Sequence, residues 1–353
     1  MEIDGLLKLM VASSASDLHL QVGSPPILRV DGMLVPLEDL PALTPEDMNE
    51  IFKQVVSPAQ QKQFWKELEL DCAYSVPHLS RFRINILKQR GTLCMAFRMV
   101  PIQAPSIDDI GLPSVCKNLI MKQKGLILIA GPTGSGKSTT LAAMVSYLNE
   151  DTPRTIITIE DPIEYLYSSH RCLIAQRDLG DDTHSFARAL KGALRHDPQV
   201  LVIGELRDLE TIAIAITAAE TGHLVLGTLH TIDATQTIER IIDVFPHEQQ
   251  PQIRIQLAEV LEAVISQRLL PRVGGGRIAA FEVMLSNPSI KKMILEQRLS
   301  DIYPNMEMSN LDGMQTMDEA LARLVLDKQI TMEDAIVKCS IRRRLEEQVN
   351  QVE

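Results

Sequence analysis

The sequence predicts an α/β protein in two parts. A small α+β domain spans about residues 1–100, and an open, mostly parallel α/β domain spans 115–353, with a helical tail from about residue 286. Three observations carry this reading. Lys124–Ala130 is an apolar run of the kind that forms a strand buried on both faces, and glycine-rich Gly131–Thr139 and helix-compatible Leu141–Leu148 follow it. Further apolar runs at 155–159, 200–203 and 224–226 each lead into polar residues, as in repeated strand–helix units. Near residue 100 the alternating pattern stops, and Pro101, Pro105 and Pro113 mark 101–114 as a linker.

The first domain opens with a helix whose apolar face is Leu6, Leu7, Met10 and Val11. Asp17–Val22 and Pro26–Val30 read as extended. Asp31-Gly32 is a hairpin turn into Met33–Pro36. Thr44 is placed as an N-cap, with Pro45 in the first turn and Asp47 at the capping-box position of a helix running to about Val56. Arg81–Ile86 and Thr92–Arg98 complete the domain as strands.

The stretch Gly131-Pro132-Thr133-Gly134-Ser135-Gly136-Lys137-Ser138-Thr139 satisfies the G-x-x-x-x-G-K-[ST] pattern of a phosphate-binding loop. Its glycines let successive N–H groups converge on phosphate oxygens at a helix N-terminus, whose partial positive charge favours an anion. Lys137 is placed to reach the β- and γ-phosphates, and the Ser138 hydroxyl to ligate Mg²⁺. A nucleoside triphosphate is therefore the expected ligand.

In open parallel sheets, ligands sit beyond the carboxyl ends of the strands. Those ends deliver Glu160, Asp161 and Glu164 after 155–159, Glu205 after 200–203, and His230 after 224–229. Glu205 is the expected second acidic element, holding Mg²⁺ through water or orienting the attacking water. One carboxylate of the Glu160–Glu164 cluster is expected to polarise water for in-line attack. Spacing does not decide between Glu160 and Glu164. His230 is placed as a γ-phosphate sensor. His223 follows the helix stop at Gly222 and reads as a sensor or as a capping or packing residue. The two histidines stand an odd number of residues apart on a strand, so they face opposite ways and do not pair on a metal. Residues 184–198 form an amphipathic helix, with Arg188, Lys191 and Arg195 opposite its apolar face. Arg207, two residues past Glu205, is a guanidinium beside the site.

Composition narrows the classes. The 353 residues are 45% hydrophobic, enough for two cores, and the formal net charge of −11 disfavours a broad nucleic-acid surface. No apolar run approaches the roughly 18 to 20 residues a bilayer crossing needs, and Met1-Glu2-Ile3-Asp4 lacks a secretion signal, so a cytoplasmic protein is expected. The five cysteines lie far apart, without a C-x-x-C pair, as in packing residues of a reducing compartment.

Gly131–Thr139, Thr158–Glu164, Ile203–Asp208 and Ala218–Thr231 resemble the Walker A, Asp-box, Walker B and His-box of the type II/IV secretion ATPases. Within that family the chain is similar to the pilus-retraction, twitching-motility branch. Ser16–Leu20, Arg81–Asn85, Ile265–Leu269 and Gly274–Arg277 extend the likeness to about residue 300. The resemblance implies a PAS-like N-terminal domain and a RecA-like ATPase domain with a helical C-terminal region. It also implies a homohexamer with ATP and Mg²⁺ at subunit boundaries, and an inner-membrane pilus platform protein as partner, met from the cytoplasmic side. Nucleic acid is not an expected partner, and a DNA-translocating or secretion ring is the more distant alternative. By motif position, Arg81, Arg83 and Arg98 are the arginines expected to approach ATP, with Arg195 and Arg207 as a second layer. The assembly ATPases of the superfamily carry an added N-terminal domain and a four-cysteine module, which this sequence lacks, and this favours the retraction branch. Pro288–Glu296 keeps helical apolar spacing at Ile290, Met293 and Ile294, but its polar face departs from the branch's Ala-Ile-Arg-Asn-Leu-Ile-Arg-Glu element. A main motor and an accessory paralogue both remain open. The tail from Thr316 reads as helical, and Arg342–Arg344 as a solvated face or a membrane-surface contact.

Overall fold

The computed structural model describes residues 2–308 and 313–350, which divide into two compact units. The first runs to Gln103 and also takes in Glu164–Leu166. The second comprises Ala104–Ile163 and the chain from Tyr167 onward.

In the first unit, helix α1 (Ile3–Ala12) buries Ile3, Leu6, Leu7 and Met10. Strands β1 (Asp17–Gln21), β2 (Ile27–Val30) and β3 (Met33–Pro36) precede α2 (Pro45–Val55) and α3 (Pro58–Glu67); β4 (Glu69–Val76), β5 (Ser80–Gln89) and β6 (Thr92–Val100) follow. The six strands form an antiparallel sheet ordered β3-β2-β1-β6-β5-β4. The β2–β3 turn holds Asp31 and Gly32 at φ of 49° and 82°, the left-handed pair of a tight hairpin. Thr44 and Asp47 close the capping box of α2, with the Asp47 N–H donating to Thr44 Oγ1 at 3.1 Å and the Thr44 N–H donating back to Asp47 Oδ2 at 3.0 Å. Such a cap contributes about 1 kcal/mol. Ser57 and Gln60 repeat the device on α3, which buries only Phe64 among its ten residues.

The second unit places α4 (Val115–Ile120) before strand β7 (Gly125–Ala130), helix α5 (Lys137–Asp151), β8 (Thr155–Glu160) and β9 (Leu173–Asp178). Then come α6 (Phe186–Ala193), β10 (Val200–Ile203), α7 (Leu209–Glu220), β11 (Leu224–Leu229), α8 (Ala234–Asp243), α9 (Gln250–Val260), β12 (Leu261–Pro271) and β13 (Arg277–Leu285). The sheet order is β13-β12-β7-β11-β10-β8-β9, parallel throughout except where β13 returns antiparallel to β12. β7, β10 and β11 are buried at every residue, as their unbroken apolar runs require when helices cover both faces.

Within 101–114, the stretch expected to be a linker, Ile107 and Leu112 are 1% and 4% exposed and pack with Cys116, Leu119 and Ile120 of the second unit. The prolines interrupt periodicity there without preventing burial. The tail holds α10 (Pro288–Leu295), α11 (Ile302–Met308), α12 (Met317–Leu326), α13 (Met332–Lys338) and α14 (Arg342–Asn350). α12 begins on a Thr316–Glu319 capping box and buries Met317, Ala320 and Leu321. Arg342 and Arg343 make exposed i,i+4 pairs with Glu346 and Glu347, each at 2.8 Å. Arg344 departs from the solvated reading: it is ion-paired to Glu307 of α11, and its guanidinium stands 5.3 Å from the Tyr303 ring centroid. It stands one residue before Leu345, the buried residue of α14, and turns inward with it. Among the described residues no helix is long and apolar enough to cross a membrane.

Candidate nucleotide site

The phosphate loop joins β7 to α5. A Cβ on Gly131 would stand 2.5 Å from Ser135 Oγ and 2.7 Å from the Gln267 carbonyl oxygen, so no side chain fits. Gly136 is the N-cap of α5 at φ 91°, and no side chain caps the first turn of this fifteen-residue helix. Its first-turn N–H groups and its dipole are a ready anion site. Ser135 Oγ is buried, with no hydrogen-bond partner among the described residues. Lys137 Nζ curls back over the loop and donates to the carbonyls of Gly131 at 2.7 Å and Pro132 at 3.1 Å. A cradle closed to side chains, an uncapped helix start and an unpartnered buried hydroxyl fit a nucleotide's phosphates.

The neighbouring strand ends converge on this loop. Glu205, just past β10, pairs with Arg207 Nη2 at 2.6 Å and faces His230 Nε2 at 3.3 Å. Arg207 also lies 4.0 Å from Asp161, beyond β8, while His230 Nδ1 is 3.3 Å from Thr133 Oγ1 of the loop. One polar chain therefore runs Asp161–Arg207–Glu205–His230–Thr133 across the ends of β8, β10 and β11. Burial alone would raise the Glu205 carboxyl. The Arg207 hydrogen bond and the nearby His230 and Arg207 charges outweigh burial and hold it below the ordinary carboxylate value.

Glu160 is the last residue of β8. Its Oε1 accepts from Thr158 Oγ1 at 2.6 Å and from Gln176 Nε2 at 3.1 Å, and Gln176 Oε1 in turn accepts the Tyr167 N–H. Glu164 falls in the segment that belongs to the first unit. Arg195 sits in the turn after α6, and its guanidinium makes no hydrogen bond or ion pair among the described residues. Arg81, Arg83 and Arg98 lie in the sheet of the first unit, with Arg83 and Arg98 opposite one another across β5 and β6. Arg98 Nε donates to Asp17 at 2.8 Å, and Arg83 is 3.9 Å from Asp71. His223 resolves to the capping alternative: its Nδ1 is 3.0 Å from the Ala218 carbonyl at the end of α7, and since a carbonyl only accepts, Nδ1 carries the proton.

A family model described as type II/IV secretion system protein matches residues 79–276, more than half of the chain. The chain belongs to that family. The type IV pilus retraction ATPase PilT of Pseudomonas aeruginosa is 44% identical over 97% of this chain and 99% of its own length. The type IV pilus ATPase PilU of the same organism is 40% identical over 95% of this chain and 88% of its own. A crystal structure of the pilus retraction motor PilT with bound ADP superposes with a TM-score of 0.91, covering 98% of this chain and 99% of that one at 44% identity.

Two further side chains come from the antiparallel β12–β13 pair, more than 125 residues past the phosphate loop, and chain order does not tell what they touch. Gln267 of β12 reaches the loop itself. Glu282 of β13 is 1% exposed; its Oε1 accepts the Ala234 N–H at the start of α8 at 2.9 Å, just after the His230 loop. Its Oε2 is buried without a partner among the described residues. A carboxylate amid apolar strand residues leaves no local pattern, because alternation cannot show what lies across the sheet.

Burial pushes the Glu282 carboxyl up from 4.5 to about 7, the Ala234 N–H opposing and Asp233 adding to the rise. The folded protein therefore keeps a proton that the unfolded chain releases between those values. Stability from this group is full below pH 4.5, falls as pH rises through the window, and levels off above about 7. Glu282→Gln, which keeps an acceptor for Ala234, is expected to flatten that slope. At alkaline pH it should stabilise by on the order of 3 kcal/mol, at roughly 1.4 kcal/mol per pKa unit. Urea melts of both proteins across the window check this, and parallel slopes would contradict it.

Proposed function

We propose that this chain is an ATP-hydrolysing motor that powers type IV pilus retraction. It works as a ring of six copies with Mg²⁺-ATP at subunit boundaries, on the cytoplasmic face of the inner membrane against a pilus platform protein. The observation that carries the reading is the end-to-end likeness to PilT, at 44% identity over 97% of this chain. The closure of the Glu205 chain on the phosphate loop supports it from the chemical side.

In this reading Gly131–Thr139 cradles the phosphates through backbone N–H groups, and Lys137 exchanges its loop carbonyls for β- and γ-oxygens. Ser138 and, through water, Glu205 hold Mg²⁺, which when bound offsets charge on the phosphates. One of Glu160 and Glu164 accepts the proton of the attacking water. The Thr158 and Gln176 donors on Glu160 fix its orientation. His230 and Arg207 both bond Glu205. A γ-phosphate beside them competes with Glu205 for the same donors, so phosphate loss redistributes the contacts of three strand ends. Arg81, Arg83 and Arg98 are the arginines that approach ATP in this reading, with Arg195 and Arg207 as a second layer.

Deleting the gene tests this. Surface pili are expected to accumulate without shortening, and a plasmid copy to restore retraction, whereas the Lys137→Ala copy should not. The accessory alternative draws on the 40% identity to PilU and on the polar face of α10, where Lys292 pairs with Glu296 at 3.9 Å. Pili that still retract, with lowered force, would select the accessory role; unchanged retraction and force would overturn both.

A further inference from the structure

We propose that Gln267 is a positioning residue for the nucleotide, a two-armed clamp holding the phosphate loop and the first turn of α5 in one fixed relation. Its side chain is 1% exposed. Its Nε2 donates to the Ser135 carbonyl at 2.6 Å, and its Oε1 accepts from Thr140 Oγ1 at 2.9 Å. Its backbone carbonyl is the atom a Cβ on Gly131 would strike at 2.7 Å, and its Nε2 would lie 3.3 Å from a Cβ on Gly136. A single residue therefore touches the start, middle and end of the loop.

The chemistry demands an amide. Ser135 offers an acceptor and Thr140 a donor, and only a group carrying both a donor and an acceptor satisfies the two. With Thr140 itself 1% exposed, water does not replace either arm. Fixing Ser135 O aims the following backbone N–H groups at the anion, so the clamp removes loop freedom that binding would otherwise have to freeze. The same strand reaches the helical tail, since Arg268, the next residue, donates to the Lys338 carbonyl at the end of α13. β12 thus ties the C-terminal helices and the phosphate loop to one rigid element.

The inference rests on the phosphate loop being the nucleotide site, and the experiment separates the two. Binding of a fluorescent ADP and steady-state ATP hydrolysis are measured on the full chain for wild type, Gln267→Met, Gln267→Glu and Thr140→Val, with melting curves taken without nucleotide. In Gln267→Met the Kd for ADP and the KM for ATP are expected to rise about 10- to 100-fold, and in Thr140→Val about 3- to 10-fold, with kcat changed less than KM. For Gln267→Glu, affinity relative to wild type should recover toward mildly acidic pH, because a protonated carboxyl again offers one donor and one acceptor. If Gln267→Met fails to fold, Thr140→Val and the pH recovery decide. Wild-type ADP affinity in the folded variants, with only the melting temperature lowered, would make Gln267 a packing residue and overturn the clamp. Absence of ADP binding by the wild type would instead overturn the nucleotide site.

Discussion

Lys137→Ala is expected to lower ATP turnover by about a thousandfold or more and to leave a folded protein. The ammonium is the one cationic side chain of the loop, at the first residue of α5, where a triphosphate's charge must be met. Its bonds to the Gly131 and Pro132 carbonyls cost little to give up, because carbonyl dipoles are replaced by fully charged phosphate oxygens, which attract an ammonium more strongly. Alanine is a good helix former at that position, and the lost loop bonds amount to about 1 kcal/mol each, so folding survives. The transition state, with charge spread over the γ-phosphoryl oxygens, loses its nearest fixed positive charge. Steady-state hydrolysis by the purified variant, with circular dichroism to confirm folding, checks this. Turnover near the wild-type rate would remove Gly131–Thr139 from the active centre.

Much of this site is legible in the sequence because its residues fall where chain order and space coincide. A phosphate loop is continuous, so Gly131 to Thr139 declares strand, turn and helix together. Parallel strands all point their carboxyl ends one way, so residues following three apolar runs had to meet, and Asp161, Glu205 and His230 do. Caps are equally local: Thr44 with Asp47 needs only a spacing of three. What stays hidden is set by pairing across the sheet. β12 lies beside β7, and nothing within Leu261–Pro271 says that its Gln267 will touch Ser135. Arg344 is hidden for a similar reason. Three consecutive arginines look alike in sequence, and only the packing of α14 and α11 distinguishes the one paired to Glu307 from the two in solvent. The Thr158 and Gln176 donors on Glu160 divide the same way: Thr158 shares its strand face and is close in sequence, whereas Gln176 arrives from β9.

Glu205→Gln is the second large effect, and it should separate from the first. ADP affinity is expected to stay within about threefold of wild type, while kcat falls by about a hundredfold to a thousandfold. The reason lies in what the carboxylate does between its neighbours. It sits against Arg207 at 2.6 Å and His230 at 3.3 Å, and these partners keep it ionised against the pull of burial. That ionised state is present above the ordinary carboxyl value and is lost only as pH falls through the lowered one. An amide keeps the shape and one acceptor for Arg207 but removes the charge that offsets the Arg207 guanidinium and that, in the proposed mechanism, orients water and metal. Binding of a diphosphate, carried by backbone N–H groups and Lys137, does not call on that charge. Catalysis does, because the negative charge must remain fixed while the γ-phosphoryl moves from one oxygen to the next. Single-turnover hydrolysis alongside ADP titration checks both halves. A variant that lost ADP affinity as steeply as turnover would place Glu205 in holding the loop together, whereas unchanged turnover would assign the carboxylate to structure alone.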